Sequence, residues 1–194
     1  MDKSDYKIII NNLEGIFSVL NNNNHVDGKL RNIYSEFLIG YKLLELGFNV
    51  QIRNERENTN ADIYLPDIKK RIEIKSGKYS LIDNFLTTEA SFGKGKQLID
   101  NKFDYLVFVT FDETIEGKVN EMFVFTYKAM KELINYSRPE ISGFNTNTYL
   151  LNIFKKYEEY KKWIKNNNSK SFYLEDNLNK NPEEYNNAWD KIKA

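Results

Sequence analysis

Asp62, Glu73 and Lys75 are the residues of this chain whose types and spacing best suit them to act together. They fall in the run Ala61-Asp62-Ile63-Tyr64-Leu65-Pro66-Asp67-Ile68-Lys69-Lys70-Arg71-Ile72-Glu73-Ile74-Lys75. The run reads as two short strands joined by a tight turn. Ile63 and Leu65 alternate with Asp62 and Tyr64, and Ile72 and Ile74 alternate with Arg71, Glu73 and Lys75. Strand side chains change face with period two, so Glu73 and Lys75 share one side while the isoleucines enter a core. Pro66-Asp67 suits a turn, because proline pre-sets its backbone angle and aspartate tolerates turn geometry. With residues 66–69 as the loop, Leu65 pairs with Lys70 and Asp62 falls opposite Glu73. Facing strand residues hold their Cβ atoms about 4.5–5.5 Å apart, where like charges destabilise the pair. A divalent cation removes that conflict. Mg²⁺ prefers oxygen and takes one or two carboxylates, with water and phosphate completing its shell. A lysine beside it stabilises charge developing on a phosphate or holds the attacking water. This is the outline of metal-assisted phosphodiester hydrolysis. A solvated charged hairpin in a chain rich in Lys and Glu carries the same letters.

The elements that must position these residues are also legible. Leu30, Ile33, Tyr34, Phe37, Leu38, Tyr41 and Leu44 recur at steps of three and four, which predicts a helix over 27–46. Asp27 or Gly28 can cap its start, and Gly47 suits its end. Glu36 lies on the flank of the apolar stripe, and Gly40, one turn on, leaves space beside it. A strand over 48–52 leads into the hairpin. Upstream, Tyr6, Ile9, Ile10, Leu13, Ile16, Phe17 and Leu20 predict a helix over 4–20, closed by the Asn21–Asn24 run. Downstream, residues 76–88 read as a long connection. Residues 104–111 form a continuous apolar run, the pattern of a strand covered on both faces. Residues 119–126 read as another strand, 128–136 as a short helix, 148–165 as a long helix and 182–193 as a short helix anchored by Tyr185 and Trp189.

The order of helix acid, strand, Asp strand and Glu-x-Lys strand resembles the PD-(D/E)XK nuclease superfamily. The resemblance covers roughly residues 27–127. It implies an α/β, restriction-endonuclease-like three-layer core, with a central mixed β-sheet flanked by helices and helical N- and C-terminal additions. It further implies that Glu36, Asp62 and Glu73 converge on Mg²⁺, which Mn²⁺ can replace, with Lys75 completing the catalytic set. Ala61 stands where the family usually has proline. The ten residues between Asp62 and Glu73 are normal spacing for the family. Members often carry a Lys or Gln on the helix after the site. Lys96 and Gln97 match that position, with Lys94 in the glycine-bearing loop before it, where a helix N-terminus would attract phosphate. An ordinary surface loop has the same composition. Lys155 and Lys162, among the aromatics of the expected long helix, are further candidates for contact with a phosphate backbone, although lysines on the wet side of an amphipathic helix give the same pattern.

The expected activity is that of an endodeoxyribonuclease on double-stranded DNA, most like a type II restriction enzyme. Such an enzyme acts as a homodimer, since two active sites must reach two strands. A junction-resolving or repair nuclease of the same fold, and a DNA-binding module that does not cut, are the alternatives. One domain over 1–194 is expected, with its catalytic core at 27–127 and a helical addition at 138–194.

Composition sets the bounds. The 194 residues carry no cysteine, so there is neither a disulfide framework nor a thiolate zinc site, which fits a reducing cytoplasm. No apolar run approaches the length of a membrane span. Twenty-eight basic residues balance 28 acidic ones, so affinity for nucleic acid must come from local patches. No Gly-rich loop ending in Gly-Lys-Ser/Thr is present, which argues against a nucleotide cofactor. There is no Gly-x-Ser-x-Gly element for acyl transfer. His25, the one histidine, sits in an asparagine-rich stretch and reads as an exposed loop residue.

Overall fold

The computed structural model describes residues 1–20, 28–52, 61–82, 85–92, 103–133, 135–137, 148–154 and 182–192. Helix α1 spans Lys3–Leu20 and α2 spans Gly28–Glu45. The Asp2 carboxylate caps α1 by accepting the N–H groups of Ser4 at 2.8 Å and Asp5 at 3.0 Å. Helix α2 ends in a Schellman turn. Gly47 takes φ +90°, its N–H donates to Leu44 O, and the Phe48 N–H donates to Leu43 O. The two helices pack closely at Gly40, where a Cβ would lie 2.4 Å from Tyr6 Cε1. The space beside Gly40 is therefore filled by the Tyr6 ring rather than left open. Aromatic edges extend this seam, with Tyr6 against Phe37 and Phe17 against Tyr34.

Five strands form the central sheet, in the order β1 (Gln51–Ile52), β2 (Ile63–Leu65), β3 (Lys70–Lys78), β6 (Tyr105–Phe111), β7 (Val119–Thr126). Only β3 and β6 run parallel, so the sheet is mixed. Every residue of β6 is buried, as its largely apolar sequence leads one to expect. One face of the sheet carries Ile63, Leu65, Ile72, Ile74, Val107, Val109 and Val124 against α1 and α2. The other carries Leu106, Phe108, Phe123 and Phe125 with Phe92, Phe103 and Met130, the last from α3 (Tyr127–Leu133). This α/β arrangement, a central mixed sheet flanked by helices, is the layering expected from the sequence.

The hairpin has the register read from the sequence, with Leu65 paired to Lys70 and Ile63 to Ile72. Asp67 anchors its turn by accepting the Asn49 N–H at 2.8 Å and the Asn49 side-chain amide at 2.7 Å.

Several expectations are corrected, among them the short helix over 128–136, which ends at Leu133 with Asn135–Ser137 a strand. Residues 76–88 are not one long connection. Strand β3 runs on to Lys78 because β6 offers it a parallel ladder as far as Phe111. The chain then enters a second, antiparallel sheet of order β4 (Ser80–Ile82), β5 (Phe85–Ser91), β9 (Thr148–Phe154), β8 (Asn135–Ser137). Residues 148–154 are accordingly a strand rather than the start of a long helix. Thr, Tyr, Ile and Phe suit a pleated surface, and pairing with β5 and β8 on either side outweighs a helical reading. The end of the described chain is two short 3₁₀ turns, Pro182–Tyr185 and Trp189–Lys191. They dock on β7 through a Phe123–Asn186 bridge, the Asn187 N–H to Met122 O bond and the Tyr185 ring against Phe125.

Candidate active site

The site is built where β2 leaves β3. Their ladder ends at the Ile63–Ile72 pair, and Asp62 comes next in register beside Glu73. Here the Ile74 N–H would lose its partner, and a buried peptide group without one is costly. Asp62 replaces the missing carbonyl: its Oδ2 accepts the Ile74 N–H at 2.7 Å. The carboxylate is thereby fixed at the fork between the strands, in the plane of the sheet.

Glu73 and Lys75 project to the face opposite Ile72 and Ile74. Their parallel partners on β6, Leu106 and Phe108, belong to the same side. Glu73 is 3% exposed, an unusual position for a carboxylate. The Lys75 ammonium lies 2.5 Å from its Oε1, on a side chain that is 24% exposed. The same ammonium stands over the Phe92 ring, 5.7 Å from its centroid. Asp62, Glu73 and Lys75 are thus gathered at adjacent register positions of one strand pair.

Glu36 arrives from the other layer. It lies half-buried on the side of α2 that bears Ile39, Gly40 and Leu43, against the Ile72 and Ile74 face of the sheet. Among the described residues, no three His, Cys, Asp or Glu side chains are grouped so as to hold a metal ion by themselves. Glu36, expected to converge with Asp62 and Glu73, is not grouped with them, and these two are the carboxylates that the strand register sets side by side. Two carboxylates, with water and a phosphate oxygen for the rest, is a donor set that suits Mg²⁺ and gives nothing to softer metals.

The neighbours of these residues serve the frame. Arg71 donates its N–H and Nε to Asp104 Oδ2, at 2.9 Å and 3.2 Å, so it pairs with an acid at the start of β3. Ser76 donates to Asn32 Oδ1 at 2.6 Å, tying β3 to α2. Lys78 pairs with Glu116, which also holds Arg31 at 3.0 Å. Lys94, Lys96, Gln97, Lys155, Lys162 and His25 lie outside the described residues. The residue that sequence reasoning missed is Phe92. It sat inside a segment read as a glycine-bearing loop, and only the sheet shows that it closes over Lys75.

No protein-family model matches the chain, and no curated protein does. Among solved structures, the chain is similar to a bacterial homing endonuclease, I-Ssp6803I, with a TM-score of 0.44 and 13% sequence identity over 84% of this chain and 91% of that one.

Proposed function

We propose that the protein is a metal-dependent endonuclease that hydrolyses phosphodiester bonds in double-stranded DNA, and that it works as a type II restriction enzyme. The observation that carries this reading is the Glu73–Lys75 pair beside Asp62 at the fork. A buried ion pair adds little stability over apolar residues of the same size, so its presence on the central strand calls for a chemical use. Bound Mg²⁺, for which Mn²⁺ can stand in, supplies a Lewis acid and a water of lowered pKa. Asp62 and Glu73 supply its protein oxygens. Lys75 donates to the phosphate oxygens as their charge grows. Lys94, Lys96, Gln97, Lys155 and Lys162 contribute contacts to the DNA backbone. Two copies of the chain cut the two strands. None of the described helices is long and apolar enough to cross a membrane.

The test is incubation of purified protein with supercoiled plasmid and with a four-way junction, in Mg²⁺ and in EDTA. Discrete linear fragments in Mg²⁺ alone are expected. Cleavage confined to the junction would turn the reading to a resolving enzyme. DNA retention without cutting under Mg²⁺ or Mn²⁺ would leave a binding module and end the nuclease reading.

A further inference from the structure

We propose that Phe92 is a positioning residue for Lys75: its ring holds the ammonium in place when Glu73 turns its charge to the metal ion. The inference rests on the nuclease reading and extends it to a residue outside the catalytic pattern.

Among the described residues, Lys75 has two partners of different kinds. One is Glu73 Oε1 at 2.5 Å. The other is the Phe92 ring, whose centroid lies 5.7 Å from Nζ, within the range at which a cation is attracted by the ring quadrupole. The first partner is compromised by the proposed chemistry. A carboxylate that ligates Mg²⁺ shares its electron density with a doubly charged ion, which also repels the ammonium. An acidic second anchor would be drawn to the metal in the same way. An aromatic face attracts the cation without offering oxygen, so it holds Lys75 and does not compete for the ligand shell.

The ring is built to stay where it is. Phe92 is 4% exposed and packs in the cluster of Ala61, Phe103, Leu106, Phe108, Phe123 and Phe125. Ala61 immediately precedes Asp62, so the same cluster supports the residue that leads into the fork. Phe92 also directly follows β5, which links the second sheet to the reacting lysine.

Incorporating 4-fluoro- and 3,4,5-trifluorophenylalanine at position 92 of the full chain drains the ring face of negative charge with little change of shape. The single-turnover rate of plasmid cleavage in Mg²⁺ is expected to fall stepwise, by about tenfold at the trifluoro ring, with the melting temperature unchanged. Phe92→Leu, if it folds, should match the trifluoro protein. A second readout needs no cleavage. In wild-type protein the Lys75 ε-methylene protons should resonate upfield through the ring current, before and after Mg²⁺ is added, and should move to the ordinary lysine position in Phe92→Leu. A flat rate across the fluorinated series, or an unshifted ε-methylene in the wild type, would overturn the proposal. A wild type that shows the ring shift yet cuts no DNA would overturn the nuclease reading and the catalytic half of this inference with it, while identifying the contact as purely structural.

Discussion

Asp62 serves the fold and the proposed chemistry through one carboxylate. It stands in for a strand carbonyl at Ile74, and it offers the charge that a hard cation seeks. The two uses separate by substitution. Asp62→Asn keeps an oxygen acceptor for the Ile74 N–H but removes the charge, so cleavage should be lost while the urea midpoint stays near that of the wild type. Asp62→Ala removes both, and the orphaned N–H should cost about 1–3 kcal/mol. Equal destabilisation by the two variants in urea denaturation would show that the cap has no weight. Glu73 is the companion case. Its placement was legible from simple alternation with Ile72 and Ile74. Its near-complete burial was not, because Glu73 lies beside Leu106 of β6, which the sequence places well down the chain. The same applies to Arg71, whose partner Asp104 comes from the segment leading into β6.

The elements that read most clearly were those with local causes. Helices α1 and α2 follow their apolar stripes, Gly47 marks the end of α2, and the β2–β3 turn declares itself through Pro66 and Asp67. Ser76, Gly77 and Lys78 carry no strand signal of their own and become strand only because β6 lies beside them. Residues 148–154 fail for the related reason that a short apolar run fits either period, and distant pairing decides. Two predictions belong at this scale. Gly40→Ala would ordinarily favour a helix, but here the new methyl meets the Tyr6 ring. The α1–α2 seam must open, and stability should fall by about 1–3 kcal/mol by chemical denaturation. The turn after β6 is held by Asp112, which accepts the Thr114 N–H at 2.9 Å, the Thr114 hydroxyl at 2.8 Å and the Ile115 N–H at 3.0 Å, with Lys118 nearby at 3.2 Å. The bond from the Thr114 N–H is the largest of the influences that hold this carboxyl well below the ordinary aspartate value of 3.8. A group with a depressed native pKa gives stability that is present above its unfolded value and is lost as pH falls through the native one. Wild-type stability should therefore decline below about pH 4, and Asp112→Asn should flatten that decline. A pH profile of unfolding free energy identical in both proteins would remove Asp112 from the account.

At the scale of the whole molecule, the core depends on partners that are remote in sequence. Strand β3 finds β6 only after β4 and β5 have intervened, and β7 gains its cover from the turns at 182–192. That cover meets an edge strand, whose bare peptide groups would otherwise recruit another chain. Trp189 and Ile192 seal it by entering the apolar cluster beneath. During synthesis, β7 emerges from the ribosome well ahead of the residues that shield it, so every nascent copy passes through an interval with a sticky flank. Brisk translation through the intervening stretch, or a chaperone that occupies the flank meanwhile, then decides how much of the newly made polypeptide escapes clumping.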